Sequence, residues 1–499
     1  MSPILQGFLN VVNIHTFPFL FLGVSSGIIV GALPGLTGSV GIILLLPFTY
    51  QLDPITALVM LCGMFCGAIY GGSISAILLS TPGTPSAAAT VLDGYPLAQK
   101  GEAGKAIGIA TISSAAGGII STLCLILIAP RLARVALKFG PEEYFALMVF
   151  GLTIIASVSG KSLAKGLISG LFGLLIATVG LDPVTGYARF SFGIPSLMSG
   201  FALLPVLIGL FAISEIFVQI EGIAKITVKV SQKIRNVLPT FKEIKKISPV
   251  ILLSSLLGTF IGVIPGTGGA IASFFAYSEA KRWSRDPDSF GKGNIAGIAA
   301  PEAANNGTTG GAMVPLLTLG IPGDVITAVM LGALILVGLR PGPFLFKEHP
   351  GLVNSVFAGL MIANFLILAL GLLSVRLFPY VLRVPRSFLF PTIFTLCFLG
   401  SFSLNNSVYD MLIALVFGII GYIMRKNGFP AAPAVLGVIL GPIAEDEFGR
   451  ALLLSGGRWQ VLFQSPIAIF FYVIAIISVV FSLRTIIRQK WRRFKTSTS

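Results

Sequence analysis

The chain has 499 residues, 55% of them hydrophobic and 11% charged, with a net charge of +15 and a mean hydropathy of +0.94. Soluble domains carry about 25% charged residues, so the composition excludes an ordinary soluble protein and points to a chain that lives in a bilayer. The excess of Lys and Arg sits in clusters between and after the apolar runs, without zinc-finger spacing or aromatic interleaving, which argues against nucleic acid as a partner.

The first 16 residues lack Lys and Arg, so no cleavable leader is expected. Residues 17–30 read as a membrane helix, broken at "GALPGLTGS" (31–39) and resumed over 40–48. Proline removes a helix donor and glycine makes the helix easy to leave. Cys62 and Cys66 lie one turn apart, far in sequence from His15 and His349, and read as small buried hydrophobes rather than metal ligands. A second break, Pro82-Gly83, closes the stretch 71–85, and Asp93 in "LDGYP" reads as a turn just outside the membrane. Charge-free runs follow at 106–129 and 147–160, and residues 193–220 read as a span or a re-entrant segment. Lys225, Lys229, Lys233, Arg235, Lys242, Lys245 and Lys246 form a basic linker. A basic tail runs from Arg484 through Lys495. Both are expected to be cytoplasmic. Between them lie a third break in 258–269, a polar-rich run over 296–324 that ends in a fourth break, an apolar run over 351–375, and a stretch at 429–464 open between span and re-entrant loop.

The two halves share a pattern. "GIIVGALPGLTG" (27–38) recurs as "GTFIGVIPGTGG" (258–269), with five Gly or Pro positions at the same spacing. "GGSISAILLSTPGTP" (71–85) resembles "GGAMVPLLTLGIPGD" (310–324). Close packing through glycine does not by itself require Pro-Gly at four matched places. Paired broken helices are instead the sequence sign of a secondary transporter site. A break frees backbone N–H and C=O groups, which is tolerable only where they line a cavity or meet a ligand. The N-terminus of the following half-helix suits an anion.

The candidate substrate-binding residues are therefore those at the breaks and in the polar run. They are Gly35, Thr37, Gly38, Ser39, Ser80, Thr81, Gly83, Thr84, Gly266, Thr267, Gly268, Asn305, Asn306, Thr308, Thr309 and Gly323. Glu302 reads either as a headgroup-level residue near 281–292 or as the group of a protonation or Na⁺ step. Asp324 reads either as a helix N-cap or as an ion-coupling acid.

At these residues the chain resembles the large membrane subunit of the tripartite tricarboxylate transporters. "GALPGLTG", "GAIYGGSISAILLSTPGTPSAAATVLDGYPLAQKGEAGKA", "APEAANN" and "VPLLTLGIPGDVITAVMLGALILVGLRPGP" carry the resemblance, which runs from about Gly23 to Pro343. It implies a multi-pass permease of the bacterial inner membrane. That permease would work with a small membrane subunit and a periplasmic solute-binding protein that captures a carboxylate. The drive would be a Na⁺ or H⁺ gradient, with no other cofactor. The absence of a GxxxxGK[ST] phosphate loop agrees with a drive other than ATP. Ser80, Gly307-Thr308-Thr309 and Asp324 depart from the family pattern, which leaves the identity of the carboxylate open.

The expected fold is an all-α polytopic membrane protein with about 12 transmembrane helices in two repeats of inverted topology, with discontinuous helices. The repeats span 1–220 and 247–483, with the linker at 221–246 and the tail at 484–499. A single-component anion carrier, or the permease of another binding-protein-dependent carboxylate system, is the alternative. A membrane enzyme or a channel is less in keeping with scarce intramembrane acids and duplicated breaks.

Overall fold

A computed structural model describes residues 2–158, 162–182, 186–221, 237–373, 375, 377–382 and 384–480. Most of the basic linker and the whole basic tail lie outside the described residues. The chain is all-α apart from one antiparallel pair of two-residue strands, Gly180–Leu181 with Ala188–Arg189. Among the described residues, six helices are long and apolar enough to cross a membrane, including Leu203–Glu221, within the stretch that the sequence leaves open. Six further apolar helices have 10–17 residues. At 1.5 Å per residue such helices fall short of a hydrocarbon core about 30 Å thick. Two of them, Phe17–Ala32 and Gly38–Thr49, are the two pieces of the first broken run.

The chain forms two compact units, each drawing on both halves of the sequence. The first takes residues 1–134 and 215–404 and holds every candidate site residue. Among its helices are α1 (Phe17–Ala32), α2 (Gly38–Thr49), α3 (Pro54–Leu79), α4 (Ala88–Leu97), α5 (Ala103–Ala136, whose last two residues fall in the second unit), α6 (Phe241–Val263), α7 (Gly268–Trp283), α8 (Ala296–Leu319), α9 (Val325–Leu336) and α10 (Pro350–Leu373). Local chemistry sets their starts. Asp53 accepts the N–H groups of Ile55 (3.0 Å) and Thr56 (3.1 Å) ahead of Pro54, capping α3. Thr240 and Glu243 form a reciprocal capping box on α6. The core of the unit is α3 and α8, whose side chains are buried almost throughout.

Glycine fixes how α1 meets α3 and how α6 meets α8. A Cβ on Gly27 would lie 2.6 Å from the Met64 carbonyl oxygen, and one on Gly31 would overlap that of Ala68. From the other side, Gly67 and Gly71 face the carbonyls of Val24 and Ile28. In the second pair, Gly258 and Gly262 face Ala304 and Thr308, and Gly307 and Gly311 face the carbonyls of Ser255 and Thr259. The numbers advance by 231 on the first helix of each pair (Gly27 to Gly258) and by 240 on the second (Met64 to Ala304). The same advance of 240 relates Gly71 to Gly311 and Pro82-Gly83 to Pro322-Gly323 by number.

The second unit takes residues 135–214 and 405–499. Its helices Leu163–Ala177 and Ala431–Leu454 also touch through glycine, with Gly437 against the Gly170 carbonyl. Arg189 donates to both oxygens of Glu445 at 2.5 and 3.0 Å, a bidentate pair that ties the short hairpin to that helix.

Gly27→Ala and Gly258→Ala should each lower stability by about 1–3 kcal/mol, because backbone and not a flexible side chain blocks the added methyl. Gly351→Ala, where nothing lies within 4 Å, is the control and should be neutral or slightly stabilising. Thermal unfolding in detergent measures the difference. Equal behaviour of all three would disprove the packing account.

Candidate functional site

The four breaks differ in how their freed N–H groups are met. After the first, Thr37 caps α2 through the Val40 N–H (3.4 Å) and pairs with Ser39 (2.8 Å). After the fourth, Asp324 caps α9, accepting the Thr327 N–H (2.7 Å) in a reciprocal box. The other two starts have no side-chain cap. The turn Pro85–Ala87 leads into α4 uncapped, because Thr84 pairs with Ser86 (3.1 Å) instead. At α7, Thr267 turns back to the carbonyls of Ile261 (2.5 Å) and Ile264 (2.8 Å), leaving the first N–H groups of a 16-residue helix without a cap.

These two uncapped starts meet. A Cβ on Gly269 would lie 3.1 Å from the Ser86 Cβ and 3.3 Å from the Thr308 Oγ1, and would overlap the Asn305 Oδ1. Asn305 is fully buried, and neither its Oδ1 nor its Nδ2 has a hydrogen-bond partner. Leaving both ends of a buried amide unmet is unfavourable by about 1–3 kcal/mol per group. A polar ligand or water at this point would relieve that. The matching contact elsewhere joins Gly38 to Ile326, where a Cβ on the glycine would lie 2.8 Å from the Ile326 Cδ1. There both helix starts are capped and the facing residue is apolar.

Of the sequence candidates, the structure brings Thr84, Asn305 and Thr308 together, and adds Ser86 and Gly269, which sequence reading missed; a Cβ on Gly268 (φ +64°) would instead lie 3.8 Å from the Asp324 Cβ. Gly35, Gly38, Gly83, Gly266 and Gly323 instead shape the breaks. Gly35 (φ +97°) and Gly266 (φ +82°) adopt left-handed backbone, and the Gly266 N–H donates to the Gly323 carbonyl at 2.8 Å. Gly83 abuts the Gly31 carbonyl. Ser80 ends α3 in a left-handed conformation, and Thr81 donates weakly to the Leu79 carbonyl (3.4 Å). Thr308 and Thr309 hydroxyls donate back to Asn305 and Asn306 carbonyls at 2.6 and 2.7 Å, and the Asn306 Oδ1 is buried without a partner.

Two acids are drawn into the interior of the protein. The first is Glu302, which the sequence leaves open between a headgroup-level residue and the group of an ion step. It is fully buried on α8, where its carboxylate accepts Ser73 (2.5 Å), Ser114 (2.9 Å) and Thr90 hydroxyls. Asp93 is not in an external turn. It lies within α4, fully buried, and accepts the Tyr277 hydroxyl (2.9 Å) and the N–H groups of Gly291 (2.9 Å), Gly293 (2.8 Å) and Asn294 (2.7 Å). It thereby holds the loop after α7 against α4. Single Ser, Thr and Gly residues scattered over more than 200 positions supply these partners, so neither burial has a local sequence signal. A separate cavity of 470 Å³ lies between the start of α6 and the end of α7, with Lys246, Trp283 and Arg285 in its wall, and contains none of the candidate residues.

Asp93→Ala should destabilise the protein by roughly 2–4 kcal/mol, by stranding several buried donors, and should speed amide exchange in residues 289–294 first. Unchanged exchange there would show that Asp93 does not hold the loop. Asp324→Ala should lose about 1 kcal/mol while Asp324→Asn loses almost nothing, since Asn and Asp cap comparably. Transport by the Asn variant should keep wild-type dependence on Na⁺ and pH; a flattened dependence would give Asp324 an ion role beyond the cap.

Residues 17–436 match the tripartite tricarboxylate transporter TctA family. A curated relative from Agrobacterium vitis, an uncharacterized 52.8 kDa protein in the TAR-I ttuC' 3' region, is 38% identical over 490 residues, covering 98% of this chain and 97% of its own. A second from the same organism, an uncharacterized protein in the TAR-II ttuC' 3' region, is 38% identical over 233 residues, covering 47% of this chain and 96% of its own. No solved structure matches. The family is one of transporters and not of enzymes, its large subunit working with a small membrane subunit and a periplasmic binding protein. By the extent of these matches, the chain belongs to the tripartite tricarboxylate transporter TctA family.

Proposed function

We propose that this chain is the bacterial inner-membrane permease of a binding-protein-dependent symporter for di- or tricarboxylates, and that the substrate carboxylate binds where the uncapped starts of α7 and the Pro85 turn meet Asn305. The observation that carries the site is Asn305, a fully buried amide with both ends unmet. Free helix N–H groups and an amide donor are the chemistry of a carboxylate site built without a formal cation. A Na⁺ or H⁺ gradient supplies the drive, and no other cofactor is required.

The advance by 231 and 240 supports reading the halves as internal repeats, with boundaries at 1–220 and 247–483. Contacts exchange between them, since Gly38 faces Ile326 as Gly269 faces Ser86. Inverted topology is the proposed arrangement, because it lets opposite helix ends reach one site. About 12 crossings, a cytoplasmic linker and a cytoplasmic tail complete the proposed topology.

A site with few fixed cations binds a strongly hydrated carboxylate weakly from dilute solution. A docked binding protein offsets that weakness by raising the local concentration. Reconstitution in liposomes with an imposed gradient tests both points. Uptake of succinate, malate or citrate should require the permease, the small subunit and the binding protein together. Asn305→Ala should weaken apparent affinity about 10–100-fold, the loss of one hydrogen bond to a charged group. Saturable micromolar uptake by this subunit alone would establish a single-component carrier, and wild-type affinity in the Ala variant would remove Asn305 from the site.

A further inference from the structure

We propose that Glu302, with the hydroxyls of Ser73, Thr90 and Ser114, is the site that carries the coupling proton. This rests on the reading of the chain as a gradient-driven carboxylate symporter, and it assigns the ion and its residue.

Three acids of the first unit differ in the partners that hold them. Asp93 accepts backbone N–H groups on both oxygens, and Asp324 accepts the Thr327 N–H and hydroxyl on Oδ1 as the cap of α9. An N–H group only donates, so gaining a proton at Asp93 would set donor against donor, and Asp324 is committed to its helix start. The partners of Glu302 are all hydroxyls, from α3, α4 and α5. A hydroxyl rotates and both donates and accepts. An ionised Glu302 takes three donated bonds. A protonated Glu302 donates to one hydroxyl, which turns to accept. Both states are satisfied with no movement of heavy atoms. Among the described residues, no Lys, Arg or His pairs with Glu302.

The cluster is spaced for hydrogen bonds, the arrangement through which a proton is passed. Here Ser73 and Ser114 oxygens stand 2.5 and 2.9 Å from Glu302 Oε2, at hydrogen-bond length. Of the other titratable groups on the packed helices, Tyr70 lies near enough to interact with the Glu302 charge. Tyr70 of α3 bonds Thr111 (2.8 Å), and Asp93 of α4 bonds Tyr277 of α7. Asp324 caps α9, and Glu243 at the start of α6 pairs with Lys105 of α5 (3.1 Å). Glu279 of α7 pairs with Arg282 (2.5 Å). Cys62 and Cys66 of α3 are free thiols. Lys242, Lys245 and Lys246 lie in the first two turns of α6, and Lys281 in the last turn of α7. Lys347 and Glu348 lie at the end of the short helix Pro343–Glu348 before α10. Glu302 lies one turn from Asn305 on α8, so loading of the acid and of the substrate site share one helix.

The test uses the complete three-component system in liposomes with a pH dye inside. In the wild type, uptake of labelled succinate, malate or citrate should acidify the lumen and follow an imposed pH gradient at constant Na⁺. Glu302→Gln should reduce pH-driven uptake at least tenfold, while exchange of labelled for unlabelled substrate at equal pH stays within about threefold. Ser114→Ala keeps the carboxyl and removes one donor. It should keep uptake but move its pH profile upward by roughly half a unit to a unit, since donors favour the ionised form; this variant decides if the Gln variant fails to fold. Uptake driven by pH in Glu302→Gln, an unmoved profile in Ser114→Ala, or wild-type uptake that follows Na⁺ without proton entry overturns the proton site while leaving the carboxylate reading intact. Absence of both uptake and exchange for all three substrates in the wild type overturns both.

Discussion

An unpaired N–H group in apolar surroundings must find an acceptor, and the rest of this structure depends on how that demand is met. Each unmet group is unfavourable by several kcal/mol in lipid, yet the chain breaks its helices four times. Thr37 and Asp324 answer the demand at two breaks with their own side chains. The starts at Pro85 and Gly268 leave it open, and a buried amide without partners stands beside them.

Close backbone contact makes the open pair coherent. Glycine on α1, α3, α6 and α8 lets each helix rest on its neighbour's carbonyls, so the breaks are held at defined heights. The same register exposes a chemical difference between the halves. With the advance of 240, Cys62 and Cys66 of α3 take the places of Glu302 and Asn306 of α8. One half keeps small buried thiols and the other carries the acid and the amide.

The breaks were legible because Pro-Gly inside an apolar run is a local signal, and the matched spacing of Gly27 to Gly38 with Gly258 to Gly269 survives in the contacts. Asn305 stands out in sequence as an amide among apolar residues, and its burial without partners is what the structure adds. The burial of Glu302 and Asp93 was not. Ser73, Thr90 and Ser114 look like the hydroxyls of any membrane helix, and the loop that closes on Asp93 lies some 200 residues away. The second motif pair is ambiguous by one residue in sequence, since "GG" occurs at both 71–72 and 310–311, and the contacts place Gly71 against Ile28 as they place Gly311 against Thr259. Which breaks are capped was legible in part: at the place of Thr37 the second motif carries Gly268, which has no side chain to cap with, and Thr267, one place earlier, turns back to the Ile261 and Ile264 carbonyls.

The central claim is that the open helix starts and Asn305 form the carboxylate site. A cryo-electron microscopy map of the permease complex with saturating citrate or succinate tests it most directly. Substrate density is expected within hydrogen-bond distance of the N–H groups of residues 268–270 and of the Asn305 side chain. Density confined to the cavity walled by Lys246 and Arg285, with the space beside Asn305 empty of substrate, would contradict it.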